Sequence, residues 1–259
     1  MPVLLLGGTV DARELLAAAT AAGFEVIESV AGRTRQARAA AEARIGGFGG
    51  IEGLIDYLRS NRITAVLDAT HPFATQMTRH AARACAATGT PLLRFVRPGW
   101  ADHPGAVHWR WVADHPAAAR AAAGWPGRVL LTVGRQPLPH YRALPHVLAR
   151  VAEWPGGDPP AGWQIIAARG PFELAGELDL LRDQRIGLLV SKDSGGAQTA
   201  AKLDAAGRLG IPVIMVARTP TPAGVPEASD VPGVLAWLAT HRPPAQTQFS
   251  QGQDPPPHR

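Results

Sequence analysis

The first strand–turn–helix unit constrains the fold of this chain more than any other stretch. Val3–Leu6 is a short apolar run, typical of a strand buried on both faces of a parallel sheet. Gly7 and Gly8 turn the chain, Thr9 is placed to cap a helix, and residues 11–22 have the composition of one. A glycine turn at a helix N-terminus lets a phosphate approach free N–H groups. The full G-x-G-x-x-G spacing is missing, so a phosphate site and an ordinary tight turn both stay open.

The same alternation of strand and helix patterns continues along most of the chain. Further apolar runs span residues 24–30, 63–67, 91–96, 107–112, 128–133, 147–151, 164–168, 186–190 and 211–216. Such alternation is typical of α/β folds with mainly parallel sheets. A Pro- and Gly-containing connection at residues 98–105 divides it, so we predict one domain over residues 1–100 and a second over 101–242. From residue 243 the Pro, Gln and Ser content predicts a disordered tail.

The charge balance favours an anionic small molecule over a nucleic acid as the ligand. The formal net charge is +5 and the sequence pI is about 10.3. The charge comes mostly from dispersed arginines, and the aromatic residues form no stacking array or RNP-like motif. We therefore expect no nucleic-acid partner.

The sequence indicates neither a membrane protein nor a metalloprotein. It has no apolar run of about 18 residues, and no basic-then-apolar leader precedes Val3. The histidines show no metal-ligand spacing, and Cys85 is the single cysteine. One cysteine cannot form an internal disulfide, which fits a reducing cytoplasm, so we expect a cytoplasmic protein without a metal.

The most distinctive candidate site in the first half follows the strand at residues 63–67. Asp68–Ala74 reads DATHPFA, which puts polar side chains at the carboxyl end of a buried strand. Ligands of open α/β sheets bind at such ends. This motif is therefore predicted to contact a ribose, a nicotinamide or a substrate through Thr70, His71, Pro72 and Phe73.

Two loops bear on a nicotinamide cofactor. Arg33 and Thr34 follow the second predicted strand, where an arginine suits the 2′-phosphate of NADP and an acidic residue would suit NAD. A solvated basic loop is the alternative. Residues 46–50 hold four glycines, a density that marks backbone with positive φ or backbone lying against a ligand. A plain flexible turn is the alternative there.

The second half supplies two more polar turns at predicted strand ends, at residues 132–135 and 191–196. The chain has only two lysines, Lys192 and Lys202, and both fall in or just after the second of these turns. Arginine is the default cation here, so a lysine suggests a need for its compact charge. A capped turn with surface lysines is the alternative. Arg94 lies inside an apolar run and needs an anionic partner if it is buried.

With these residues in view, the chain resembles the precorrin-6A reductase family of cobalamin biosynthesis. The similarity lies in motifs that follow the family's order over about residues 3–218: LLLGGTVDAR, SVAGRT, GGFGG, DATHPFA, LLRFVRPGW, TVGR, ARGPF, and SKDSGG with Lys202. The resemblance implies two Rossmann-like domains with the active site in the cleft between them. It also implies an NADPH-dependent oxidoreductase that reduces one ring double bond of precorrin-6A, a polycarboxylate tetrapyrrole, to give precorrin-6B.

The resemblance and the residue patterns together assign roles to particular positions. The candidates for binding the NADPH cofactor are Gly7, Gly8, Thr9, Arg33, Thr34, Gly47, Phe48, Gly49, Thr70, His71, Pro72 and Phe73. The candidates for binding the substrate are Arg94, Arg135, Ser191, Lys192, Asp193, Ser194, Gly195 and Lys202. The catalytic candidates for protonating the substrate are His71 and Asp193, with water as a third source.

Three other functions stay open on the sequence. One is the cobalt-precorrin-6A reductase of the anaerobic branch. The others are a two-domain transferase that uses a nucleotide sugar and a non-catalytic nucleotide sensor. Polar residues at strand ends in both halves suit a reaction of two substrates, which disfavours the last two. Neighbouring enzymes of the pathway are further candidate partners.

Overall fold

The computed structural model describes residues 2–32, 43–154, 156–196 and 199–242, and it contains two six-stranded sheets with helices between the strands. Every strand pair in both sheets is parallel. The predicted α/β class with mainly parallel sheets is therefore confirmed.

The first sheet carries the N-terminal glycine turn. Its strands are β1 (Val3–Leu6), β2 (Val26–Val30), β3 (Arg44–Ile45), β4 (Ala65–Asp68), β5 (Leu92–Phe95) and β12 (Glu227–Ala228). They lie in the order β12-β5-β4-β1-β2-β3, with β1 and β4 adjacent near the centre. Its helices are α1 (Val10–Ala21), α2 (Gly50–Ser60), α3 (Thr75–Thr88) and α7 (Val231–Thr240).

The second sheet is built from the middle of the chain. Its strands are β6 (Arg110–Val112), β7 (Arg128–Leu131), β8 (Val147–Val151), β9 (Trp163–Ala167), β10 (Ile186–Lys192) and β11 (Val213–Val216). They lie in the order β6-β11-β10-β7-β8-β9. Its helices are α4 (His115–Ala122), α5 (Leu174–Asp183) and α6 (Ala201–Arg208). A short 3-10 helix, Ala106–His108, occupies the start of the strand predicted at residues 107–112.

Burial on both faces explains why the strands read as continuous apolar runs. Val3 and Leu5 of β1 enter the core beneath α1 and α7, whereas Leu4 and Leu6 enter the core beneath α2 and α3. All four side chains are buried. Because burying such a side chain stabilises the fold by about 1.5–3 kcal/mol, strands of this kind stay at the centre of the sheet.

The C-terminal segment returns to the first sheet. In β12, Glu227 pairs with Arg94 of β5, and α7 packs against α1. Val234 and Leu238 of α7 are buried in the same core as Leu5. The expectation of a second domain over 101–242 differs from this arrangement, because β12 and α7 belong to the first sheet. Short apolar segments near a C-terminus do not reveal which sheet they join.

Leu238→Ala tests whether α7 packs against the first sheet. Removing a buried side chain leaves a cavity, so the free energy of unfolding should fall by about 2–5 kcal/mol in chemical denaturation. Val107→Ala is the matched control, because Val107 is 81% exposed and its truncation should change stability little. Equal stabilities for the two variants would contradict the packing of α7 on the first sheet.

Candidate active site

The glycine turn after β1 is open above its backbone. Gly8 has a φ of 98°, a conformation that favours glycine, and a Cβ built on it would meet nothing within 4 Å. Thr9 caps α1 by accepting a hydrogen bond from the N–H of Ala12 at 3.0 Å. Its hydroxyl also donates to the carbonyl of Ala69 at 3.0 Å. The turn is therefore tied directly to the loop that follows β4.

Gly7 lies against the side chain of Glu28 from β2. A Cβ at this position would lie 2.6 Å from Oε1 of Glu28, so a larger residue would require that side chain to move. Sequence analysis did not place Glu28 at the turn. Side chains alternate along a strand, but the pattern does not say which neighbour they reach.

The loop after β4 is organised by Asp68, which is fully buried. Its Oδ1 accepts hydrogen bonds from the Thr70 N–H at 3.0 Å and the Thr70 hydroxyl at 2.6 Å. Its Oδ2 is paired with the guanidinium of Arg94, which also donates to the hydroxyl of Thr78 at 2.6 Å. Arg94 is buried and has the anionic partner that its place in an apolar run demands. This internal partner gives Arg94 a supporting role in the loop, and its role in substrate binding stays a prediction.

His71 lies in an electropositive setting. Burial and the nearby charges of Lys192, Arg97, Arg218 and Arg94 lower the pKa of His71 well below its usual value. Its Nδ1 accepts a hydrogen bond from the Phe73 N–H at 3.1 Å, which leaves the proton on Nε2. A neutral imidazole is a poor proton donor, so the geometry argues against His71 as the acid and favours a binding role.

Phe73 brings the two sheets together. Its ring packs against the core of the second sheet, and its centroid is 6.1 Å from that of His115. Nζ of Lys192, at the end of β10, lies 5.2 Å from the same centroid. The loop after β4 and the carboxyl end of β10 therefore face each other across one cleft, which is where open α/β sheets bind ligands.

Asp193 anchors the linker between the sheets. Its Oδ1 accepts a hydrogen bond from the Trp100 N–H at 2.8 Å, and its Oδ2 is 3.2 Å from Nε of Arg218. Arg218 also donates to the backbone carbonyls of Asp193 and Arg97, at 2.7 and 2.6 Å. These groups engage both carboxylate oxygens and give Asp193 an anchoring role in the fold. Its catalytic and substrate-binding roles stay predictions.

Close packing also explains why Gly195, in the 191–196 turn, is a glycine. A Cβ on Gly195 would lie 2.2 Å from the carbonyl oxygen of Pro98, and one on Gly99 would lie 2.7 Å from Asp193. The close approach of the linker therefore accounts for glycine at position 195, and substrate binding by Gly195 stays a prediction. Ser194 donates its N–H to the carbonyl of Lys192 at 2.6 Å, which tightens the same turn.

The two lysines have different settings. Lys202 is 4% exposed, donates to the carbonyl of Thr199 and lies 4.6 Å from the Trp100 ring. Burial, with a further contribution from Arg150, lowers the pKa of Lys202 to about 7. Lys192 is half-buried, and desolvation lowers its pKa to about 8.

The hydroxyl of Ser191 is buried and has no hydrogen-bond partner among the described residues. Ser191 and Lys202 are thus both buried, and their roles in substrate binding stay predictions.

The remaining predicted residues are dispersed. Gly47, Phe48 and Gly49 form a turn held by Arg44, whose guanidinium covers the Phe48 ring at 3.8 Å and donates to the carbonyl of Gly47 at 2.8 Å. Gly49, with a φ of 80°, caps α2. Positive φ angles account for glycine at positions 46, 49 and 50, and a cofactor contact by residues 47–49 stays a prediction. Arg135 is exposed just after β7. Arg33 and Thr34 lie outside the described residues.

One side of the cleft is formed by residues that no sequence motif marks. Nδ1 of His115 is 2.9 Å from the hydroxyl of Tyr141, and the His140 ring stacks on His115 at 6.3 Å. Burial and the charge of Lys192 lower the pKa of His115 to about 4, so it is neutral. These residues lie at the start of a helix and in a 3-10 turn, positions that give no motif.

Among the described residues no cluster of metal-ligating side chains occurs. No helix there is long and apolar enough to cross a membrane.

These features define a class: a two-domain α/β protein whose parallel sheets present a glycine turn, a polar loop and a lysine-bearing strand end to a shared cleft. Within that class the chain belongs to the precorrin-6x reductase CbiJ/CobK family, whose model matches residues 2–239. It is 45% identical over 242 residues to the precorrin-6A reductase of Rhodococcus erythropolis, covering 92% of this chain and 97% of that one.

The chain is also similar to a solved structure and to a relative of lower sequence identity. The solved CobK precorrin-6A reductase superposes with a TM-score of 0.83 at 42% identity, covering 93% of this chain and 97% of that chain. The cobalt-precorrin-6A reductase of Salmonella typhimurium is 33% identical over 244 residues, covering 85% of this chain and 88% of that one. Membership of a reductase family is thereby shown, as the resemblance of the motifs predicts.

Lys202→Met tests the lowered lysine pKa. Between about pH 7 and pH 9 the folded protein loses the Lys202 proton while the unfolded chain keeps it. The unfolded state then binds more protons, so the free energy of unfolding should rise with pH in the wild-type protein. The variant should be more stable than the wild type at pH 6.5 and should show a smaller rise in urea denaturation. An unchanged slope would show that Lys202 titrates normally.

Proposed function

We propose that this protein reduces one ring double bond of precorrin-6A with NADPH as the hydride source. The observation that carries the proposal is the meeting of the His71–Phe73 loop with Lys192 at one cleft, in a chain that belongs to the precorrin-6x reductase family. A reduction with a separate hydride carrier needs such a two-sided site. Each sheet contributes one side.

The first sheet fits a nicotinamide dinucleotide. The backbone at Gly8 is open, and Thr9 starts a helix whose N-terminal N–H groups attract phosphate. In this proposal Gly7, Gly8 and Thr9 hold the pyrophosphate, and Thr70 to Phe73 hold the nicotinamide end. A bound NADPH supplies the hydride. The choice of NADPH over NADH rests on Arg33 and Thr34 in the sequence.

The cleft fits a polyanionic substrate. Four cations from both sheets and the linker depress the His71 pKa. Three of them, Arg94, Arg97 and Arg218, are paired with carboxylates. Lys192 forms no such pair among the described residues, so its ammonium group is available to an anionic ligand. Arg135 adds an exposed charge at the neighbouring strand end. A charge-assisted hydrogen bond to a carboxylate contributes about 1.5–3 kcal/mol, so a tetrapyrrole with several carboxylates suits this surface.

The metal-free substrate is favoured over the cobalt complex. Identity is 45% to a precorrin-6A reductase and 33% to a cobalt-precorrin-6A reductase. The cobalt complex is the second candidate substrate. A cytoplasmic location and association with neighbouring pathway enzymes stay predictions.

A turnover assay tests the function directly. Purified protein mixed with NADPH and precorrin-6A should consume NADPH and release a product that is two hydrogens heavier, detected by absorbance and mass spectrometry. Cobalt-precorrin-6A is the comparison substrate and should react more slowly. No NADPH consumption with either tetrapyrrole would refute the proposal, and faster turnover of the cobalt complex would reverse the choice of substrate.

Arg33→Ala tests the cofactor preference. If Arg33 binds the 2′-phosphate, the variant should bind NADPH at least tenfold more weakly and NADH almost unchanged, in fluorescence titrations with each cofactor. Arg59→Ala, at an exposed arginine of α2, is the control and should change neither affinity. Equal losses for NADPH and NADH would remove Arg33 from the 2′-phosphate site.

A further inference from the structure

We propose that Lys192 is the general acid of the reaction: its ammonium group delivers the proton that completes reduction of the ring double bond. This inference rests on the proposed function, since it assigns a chemical role at the same cleft. It goes beyond carboxylate binding, which any cation at this position could provide.

The two residues that the sequence suggests as proton donors are occupied elsewhere. His71 is neutral, and its Nδ1 already accepts a hydrogen bond from the backbone of Phe73. Asp193 uses its carboxylate oxygens on the Trp100 N–H and on Arg218. A neutral imidazole is a poor acid, and both carboxylate oxygens of Asp193 are engaged by neighbouring groups.

The other titratable groups near the cleft are also unsuited. His115 is neutral at pH 7, and burial raises the pKa of its partner Tyr141 above the usual value, which weakens the phenol as an acid. Lys202 is enclosed between the carbonyl of Thr199 and the ring of Trp100. Of these groups, Lys192 combines an ammonium proton with a half-buried position at the end of a strand.

The geometry places Lys192 where the two ligands must meet. It is the last residue of β10, it is half-buried, and its Nζ lies over the ring of Phe73. A Cβ built on Gly134, at the end of the neighbouring strand, would lie 3.5 Å from that Nζ, so glycine at this position leaves room for the ammonium group. The charged and titratable groups that interact with it are His71, His115 and Lys202.

The proton and electron balance is simple. When a hydride adds to one carbon of the double bond, the released electron pair forms a C–H bond at the neighbouring carbon with a proton from Nζ of Lys192. The N–H bond breaks, its pair stays on nitrogen, and water returns the proton to the amine. Burial lowers the pKa of Lys192 to about 8, so the group is protonated at pH 7 yet is a stronger acid than an ordinary lysine.

Lys192→Arg separates proton delivery from charge. Arginine keeps a cation for substrate carboxylates, but its pKa is too high to donate a proton. We expect the single-turnover rate constant to fall at least 100-fold, the range that a general acid contributes, while NADPH and product bind within about threefold of wild type. The alkaline limb of the pH–rate profile, with a midpoint near 8 in the wild type, should disappear. Arg208→Lys, at an exposed helix end, is the matched control and should keep the wild-type rate constant and the alkaline limb of the pH–rate profile.

A second readout does not depend on turnover. Because the chain has only two lysines, protein labelled with ¹³C at lysine Cε should give two signals, assigned by the Lys192→Arg and Lys202→Arg variants. The Lys192 signal should titrate near pH 8. If Lys192→Arg does not fold, Lys192→Met serves for the kinetics, since it also lacks the proton.

The outcomes distinguish the two proposals. A Lys192 variant that reduces precorrin-6A within about threefold of the wild-type rate, or a Lys192 signal that titrates at the pH of an ordinary lysine, about 10.4, would overturn the role of Lys192 and leave the proposed function intact. A wild-type protein that does not oxidise NADPH with precorrin-6A would overturn the proposed function and, with it, the role of Lys192.

Discussion

The contact between Asp193 and Arg218 holds the cleft together, because it fixes the linker against the second sheet. Arg218 donates to carbonyls on both sides of that contact, and Gly99 and Gly195 allow the backbones to approach. The linker residue Arg97 continues the connection, with its Nε 3.1 Å from Asp11 in the first turn of α1. One series of contacts therefore joins the helix that starts at the glycine turn to the strand that ends at Lys192.

This arrangement concentrates positive charge at the cleft and accounts for the altered acid–base properties there. Arg94 is neutralised by Asp68, and Arg218 is paired with Asp193, but Lys192 forms no ion pair with a carboxylate among the described residues. Burial lowers the pKa of Lys192, and burial together with the charge of Lys192 lowers the pKa values of His71, His115 and Lys202. A polycarboxylate ligand would supply the missing negative charge, so the surface is suited to the substrate proposed for it.

Local sequence patterns predict the fold well and the roles of polar residues less well. The strands are predictable because β1 and β4 bury both faces and so read as apolar runs. The glycine turn and the DATHPFA loop are also placed correctly at one edge. The structural contacts of Asp193 and Gly195 could not be predicted, because their partners, Arg218 and Pro98, lie far away in sequence. His115 and Tyr141 were missed because a pair formed across 26 residues leaves no motif.

Hydrogen–deuterium exchange tests the central claim, that two strand-end surfaces bind two ligands at one cleft. NADPH alone should slow exchange in peptides spanning residues 6–13 and 68–75. Added precorrin-6B should slow exchange in peptides spanning 132–136 and 190–196, with the linker at 97–100 protected only when both are bound. Protection by NADPH confined to the second sheet, or by the tetrapyrrole at neither strand end, would contradict the account.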